Sequence, residues 1–80
     1  MTEEQIIQIL SDVFHKTLEI RTFELSITMD EVQEWDSLKQ IQLVSGIESA
    51  FGIEIQFDDS IKMISGKSIL NILKKYIDFG

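Results

Sequence analysis

Between Ser37 and Phe51 the apolar residues Leu38, Ile41, Val44, Ile47 and Phe51 recur at the spacing of an α-helix, and a glycine, Gly52, follows at once. No other feature constrains the chain as much. A helix with a broad apolar face, widened here by Leu43 and Ala50, must lay that face against something else. Gly52 is a natural stop, because glycine tolerates the left-handed conformation in which helices end. Gly46, inside the segment, costs about 1 kcal/mol relative to alanine and permits close packing.

Other segments supply the packing partners. Thr2-Glu3-Glu4-Gln5 reads as a capping box, with Thr2 as N-cap and Gln5 three residues on. Behind it Ile6, Leu10, Val13 and Phe14 keep helical spacing, flanked by Ile7 and Ile9, which predicts a first helix to about Lys16. Ser65 is a suitable N-cap for a last helix whose stripe is Ile69, Ile72, Leu73, Tyr76 and Ile77. Lys74 and Lys75 fall near its C-terminal end, where cations suit the dipole. After an extended stretch through Ile53, Ile55 and Phe57, Asp58-Asp59-Ser60 reads as the start of a short helix, with Ile61, Met63 and Ile64 facing inward.

From Thr17 to Trp35 the helical pattern fails. Phe23, Leu25, Ile27 and Met29 alternate with other residues, which on period alone describes a strand. A lone strand would lack a partner among helices. The expectation is therefore a long ordered loop whose apolar residues dip into the core, with no proline to stiffen it. The predicted fold is all-α: a small four-helix bundle of three long helices and one short, with a long first loop, residues 1–80 making a single domain.

Eighty residues suffice for one core, and a hydrophobic fraction of 44% is that of a folded protein. The chain has no cysteine, so disulfides, thiolate metal sites and thiol chemistry of its own are excluded. The start, Met1-Thr2-Glu3-Glu4, does not read as a targeting peptide. No apolar run approaches the roughly 20 residues that cross a bilayer. A cytoplasmic monomer without membrane insertion is expected. The net charge of −7 disfavours nucleic acid and anionic lipid as partners and suits a basic patch on another protein.

Asp36-Ser37-Leu38 carries the chemistry. Either Asp36 or Ser37 can cap the helix that follows, which puts the serine hydroxyl at its N-terminus or one step inside. The unpaired N–H groups and the positive dipole end there favour a phosphate, and Ser37 is read as the carrier of a phosphodiester. Elsewhere the chemistry is thin. His15 stands near a helix end without a nucleophile beside it. Glu54, Asp58 and Asp59 lack the alternation and central glycine of a calcium loop. No nucleophile–base pair is legible, so the chain is not expected to be an enzyme. Trp35 is assigned to core packing ahead of docking, because an indole is costly to expose.

Glu34-Trp35-Asp36-Ser37-Leu38 together with Ile47-Glu48-Ser49-Ala50-Phe51-Gly52-Ile53-Glu54-Ile55 resembles the acyl carrier protein and peptidyl carrier protein family, and the likeness covers the chain in outline. The resemblance implies 4′-phosphopantetheine attached to Ser37, supplied from coenzyme A by a phosphopantetheinyl transferase, with Asp36 assisting the transfer near that enzyme's magnesium ion. It also implies thioester cargo and docking through Leu38, Ile41, Gln42 and Glu48. Partners would be an acyl- or aminoacyl-activating ligase and downstream acyl-transfer enzymes. Glu34-Trp35 before the motif, Lys39 after Leu38, and Gln42 and Ser45 depart from the fatty-acid carriers. They point to a specialised, stand-alone carrier in a dedicated pathway, with an aminoacyl or unusual acyl cargo. The rival reading is an unmodified carrier-like adaptor that uses the same faces only to bind protein.

Overall fold

A computed structural model describes residues 1–20 and 23–78. It is all-helical, with four helices among the described residues: α1 Glu3–Leu18, α2 Ser37–Phe51, α3 Phe57–Ser60 and α4 Gly66–Leu73. α1 starts on the expected capping box: Thr2 accepts from the backbone N–H of Gln5, and the Gln5 side chain accepts from that of Thr2. It ends at Leu18 instead of Lys16, because Leu18 is buried and Glu19 closes the helix in the left-handed region at φ 59°.

α1 gives the core Ile6, Leu10, Val13, Phe14 and Leu18; α2 gives Leu43 and Ile47; α4 gives Ile69, Leu70, Ile72 and Leu73. The connections add Phe23, Trp35, Ile55 and Met63. Burying each of the larger aliphatic or aromatic side chains stabilises the fold by about 1.5–3 kcal/mol. Phe14 lies at the centre, with Phe23 at 4.7 Å and Trp35 edge-on at 5.3 Å between ring centroids. Trp35 is therefore a core residue, 2% exposed.

α2 is rotated relative to the expectation of one broad buried face. Leu43 and Ile47 are buried, whereas Leu38 and Ile41 are 62% and 69% exposed. The contact with α1 sets this rotation. A methyl group at Gly46 would lie 3.1 Å from Cγ1 of Val13, so the two helices meet along the Leu43–Gly46–Ile47 side and the Leu38–Ile41 side turns to solvent.

The alternation of Phe23, Leu25, Ile27 and Met29 has a physical cause other than a strand. Phe23 is buried, and the other three pack half-buried against the core. Their backbone runs against the start of α4: Leu25 O accepts from Lys67 N, Ile27 O from Gly66 N, and Ile64 O from Met29 N. Only an isolated antiparallel bridge, Thr28 to Ser65, results among the described residues. The Leu25 and Ile27 carbonyls satisfy first-turn N–H groups of α4 that no helical partner can reach, and Ser65 caps the next one in a box with Ser68.

The short helix also departs from expectation. α3 begins at Phe57, a residue earlier, and lasts one turn. Helical spacing is lost beyond Ser60, so Met63 is fully buried while Ile61 and Ile64 stay exposed. α4 ends at Leu73, and Tyr76 follows in a turn, half-buried.

Candidate functional site

Asp36 caps α2 from an extended backbone, its Oδ1 accepting the Lys39 N–H at 2.8 Å. Ser37 is thus the first helical residue, exposed. Beside the Lys39 N–H taken by Asp36, the N–H groups of Ser37 and Leu38 have no intrahelical acceptor. Among the described residues the Ser37 hydroxyl has no hydrogen-bond partner. An unengaged hydroxyl at the positive end of a helix dipole is suited to carrying an anionic ester.

The placement of Ser37 is fixed from beneath by a side chain that sequence reasoning missed. The Trp35 indole N–H donates to Oε1 of Gln40 at 2.7 Å. Gln40 in turn donates from Nε2 to the carbonyls of Ser60 and Met63, at 3.0 and 2.9 Å. One amide therefore ties the residues flanking Ser37 to the far end of α3. The sequence held a signal: a buried indole needs an acceptor, and Gln40 is the polar residue one turn into α2 beside Trp35.

Ser37 lies on the rim of a groove of about 500 Å³ between α2 and α3. One wall carries Ile41, Val44, Ser45 and Glu48 from α2; the other carries Phe57, Ser60, Ile61 and Ile64, with Met29 from the first loop. Phe57 is 75% exposed, and with Ile41, Ile61 and Ile64 on the same groove it forms an exposed apolar face. The inward-facing assignment of Ile61 and Ile64 had concealed this wall.

The four residues assigned to docking do not share one environment. Leu38, Ile41 and Gln42 are exposed on α2. Glu48 is half-buried, and its Oε2 accepts the Ile55 N–H at 2.8 Å, fastening the chain where it leaves α2.

A second polar cluster lies behind α3. The Tyr76 hydroxyl donates to Oδ2 of Asp59 and accepts the Gln56 N–H at 3.1 Å. Lys75 Nζ bonds Asp59 Oδ1 at 2.9 Å. The Tyr76 bond first, and Lys75 second, hold the Asp59 carboxyl below its ordinary range. The same bond raises the Tyr76 phenol, and Asp59 raises the Lys75 ammonium. All three shifts favour one state, a neutral phenol and an ammonium on an ionised carboxylate.

His15 is exposed near the end of α1, its Nδ1 3.2 Å from the Ile20 carbonyl. Among the described residues no group of three or more His, Cys, Asp or Glu could hold a metal ion. No helix of the described residues is long and apolar enough to cross a membrane. No family model and no curated protein matches the chain.

Proposed function

We propose that the protein is a carrier that holds acyl or aminoacyl groups as thioesters on 4′-phosphopantetheine attached to Ser37. The reading rests on the resemblance of Glu34–Leu38 and Ile47–Ile55 to acyl and peptidyl carrier proteins. The observation that carries it furthest is the position of Ser37: exposed, unengaged, and on the rim of an apolar groove. When bound, the arm supplies the thiol that this cysteine-free chain lacks.

The chain's own residues do the rest. Ser37 Oγ would attack the β-phosphorus of coenzyme A, breaking the pyrophosphate bond, losing its proton and releasing adenosine 3′,5′-bisphosphate. Asp36 keeps one carboxylate oxygen on the Lys39 N–H, and its other oxygen would be available to assist the transfer, in which a magnesium ion of the transferase would supply charge stabilisation. Leu38, Ile41 and Gln42 present a docking face, bordered by Glu48. Tethering raises the local concentration of one cargo at each enzyme in turn. The partners are the transferase, an acyl- or aminoacyl-activating ligase and acyl-transfer enzymes, in the cytoplasm; the small all-helical fold is compatible with that role.

Intact mass after incubation with coenzyme A and a broad-specificity transferase tests this. The wild-type chain is expected to gain one phosphopantetheine and Ser37→Ala none. The exposed apolar side chains of α2 and α3 also suit an unmodified adaptor; a wild-type chain that stays at its original mass selects that reading.

A further inference from the structure

The charges of the chain are unevenly placed. Between Asp59 and Asp78 the sequence holds Lys62, Lys67, Lys74 and Lys75 and no acid, while the rest carries all fourteen acids and only three of the seven Lys and Arg. In the fold this stretch is α4 with its flanks. α4 buries Gly66, Ile69, Leu70, Ile72 and Leu73, which turns Lys67, Asn71 and Lys74 outward at i, i+4 and i+7 of one face. Lys62 and Lys75 are exposed beyond its two ends, and Lys75 pairs with Asp59 at 2.9 Å. The needs of the helix do not account for Lys67. It is the second residue of α4, at the positive end of the dipole, where a cation is unfavourable. Nor does the groove, since none of its lining residues belongs to α4.

We propose that the outer face of α4, centred on Lys67, Asn71 and Lys74, docks a short acidic segment of a partner protein. Charge complementarity selects such a partner, and the surroundings limit its size. A long polyanion or an anionic bilayer would also face the acids of α1 and the first loop, whereas a few carboxylates fit on the lysines alone. Lys67 and Lys74 lie seven residues apart, about 10 Å along the axis, a span that two carboxylates of an extended segment can bridge. A second copy is disfavoured, because two chains of net charge −7 repel. An occupant of α4 leaves the groove and Ser37 accessible, so the protein can stay anchored to one partner while it serves another. The surface goes beyond the carrier reading and does not depend on modification of Ser37.

Amide chemical shifts of the unmodified full chain, titrated with octaglutamate at low salt, are the test. Changes are expected at Lys67, Asn71 and Lys74, fading as salt is raised. Lys67→Gln combined with Lys74→Gln should weaken binding about tenfold, the loss of two exposed ion pairs. Lys16→Gln, which removes a charge from α1, should leave the affinity nearly unchanged. All three residues are exposed, so neither variant should shift Tm. Absent changes, or changes centred away from α4, overturn the surface. So does an equal loss per charge in Lys16→Gln, which would make net charge the only cause. The same changes on concentrating the chain alone assign the face to a second copy, and on adding phosphatidylglycerol vesicles to a lipid surface. Either result overturns the acidic partner.

Discussion

The indole N–H of Trp35 and the side-chain carbonyl of Gln40 meet at 2.7 Å, and this bond ties together the residues on either side of Ser37, the residue proposed to carry the cofactor. Trp35 is packed edge-on against Phe14 and cannot follow a lost acceptor into water. Gln40→Ala leaves a buried donor unsatisfied and removes two bonds to the α3 end. It is expected to destabilise the fold by about 1–3 kcal/mol. In a domain of this size that lowers Tm by at least about 4 °C, read by circular dichroism. Trp35→Phe combined with Gln40→Leu should be less harmful than the sum of the two single changes, because neither leaves the other unpaired.

Gly66 is the point at which the first loop meets α4. A methyl group there would lie 2.7 Å from the Glu24 carbonyl oxygen and 2.8 Å from Cα and O of Leu25. These are backbone atoms, so no rotamer change relieves the clash. Gly66→Ala is expected to destabilise by about 1–3 kcal/mol in urea unfolding. It should also weaken amide protection at Lys67, whose partner is the Leu25 carbonyl.

Glu19 is the converse case. It closes α1 at φ 59°, where a side chain is strained, and it places a negative charge at the negative end of the dipole. Glu19→Gly removes both penalties. The expected gain is about 0.5–1 kcal/mol, seen as a higher urea midpoint with an unchanged slope.

Asp59 sets a pH dependence whose sign is fixed. Its folded pKa lies below 3.8, lowered first by the Tyr76 bond and then by Lys75, with Lys62 adding a smaller attraction. Stability from this carboxylate is present above pH 3.8 and is lost as pH falls through the lower folded value. Tyr76 and Lys75 are raised above 10.0 and 10.5, so their share is present below those values and is lost as pH climbs past the folded ones. Urea midpoints measured between pH 2 and 5 should fall less steeply at the acid end in Asp59→Asn than in the wild type.

Leu38 and Ile41 contribute little to the core, since both are largely exposed. Leu38→Ala and Ile41→Ala should each leave Tm nearly unchanged, as surface changes do. If they contact the transferase as proposed, each should slow loading of Ser37 by about tenfold, the loss of one good interface contact. The loading rate beside the melting curve separates docking from stability.

The helices were legible where period and caps agreed. Thr2 with Gln5, Asp36 before Ser37, Gly52 after Phe51 and Ser65 before α4 are all local devices, and each stands at the end it marked. Ser37 was placed for the same reason. What the sequence concealed was rotation and distance. The exposure of Leu38 and Ile41 follows from the fit of Gly46 against Val13, a tertiary contact that an apolar stripe cannot reveal. The second wall of the groove was missed because one turn of helix at α3 was read as if its period continued through Ile64. Gln40 and Tyr76 act on residues some twenty positions away, and no local pattern announces such bonds.

Fragment mass spectrometry of the tryptic peptide that ends at Lys39 tests the central claim most directly, after incubation of the chain with coenzyme A and a phosphopantetheinyl transferase. That peptide holds Thr22, Ser26, Thr28 and Ser37, so the fragments discriminate among hydroxyls. The account predicts a single phosphopantetheine, on Ser37. An unmodified peptide under conditions that load a known carrier to completion, or a group on any other hydroxyl, would contradict it.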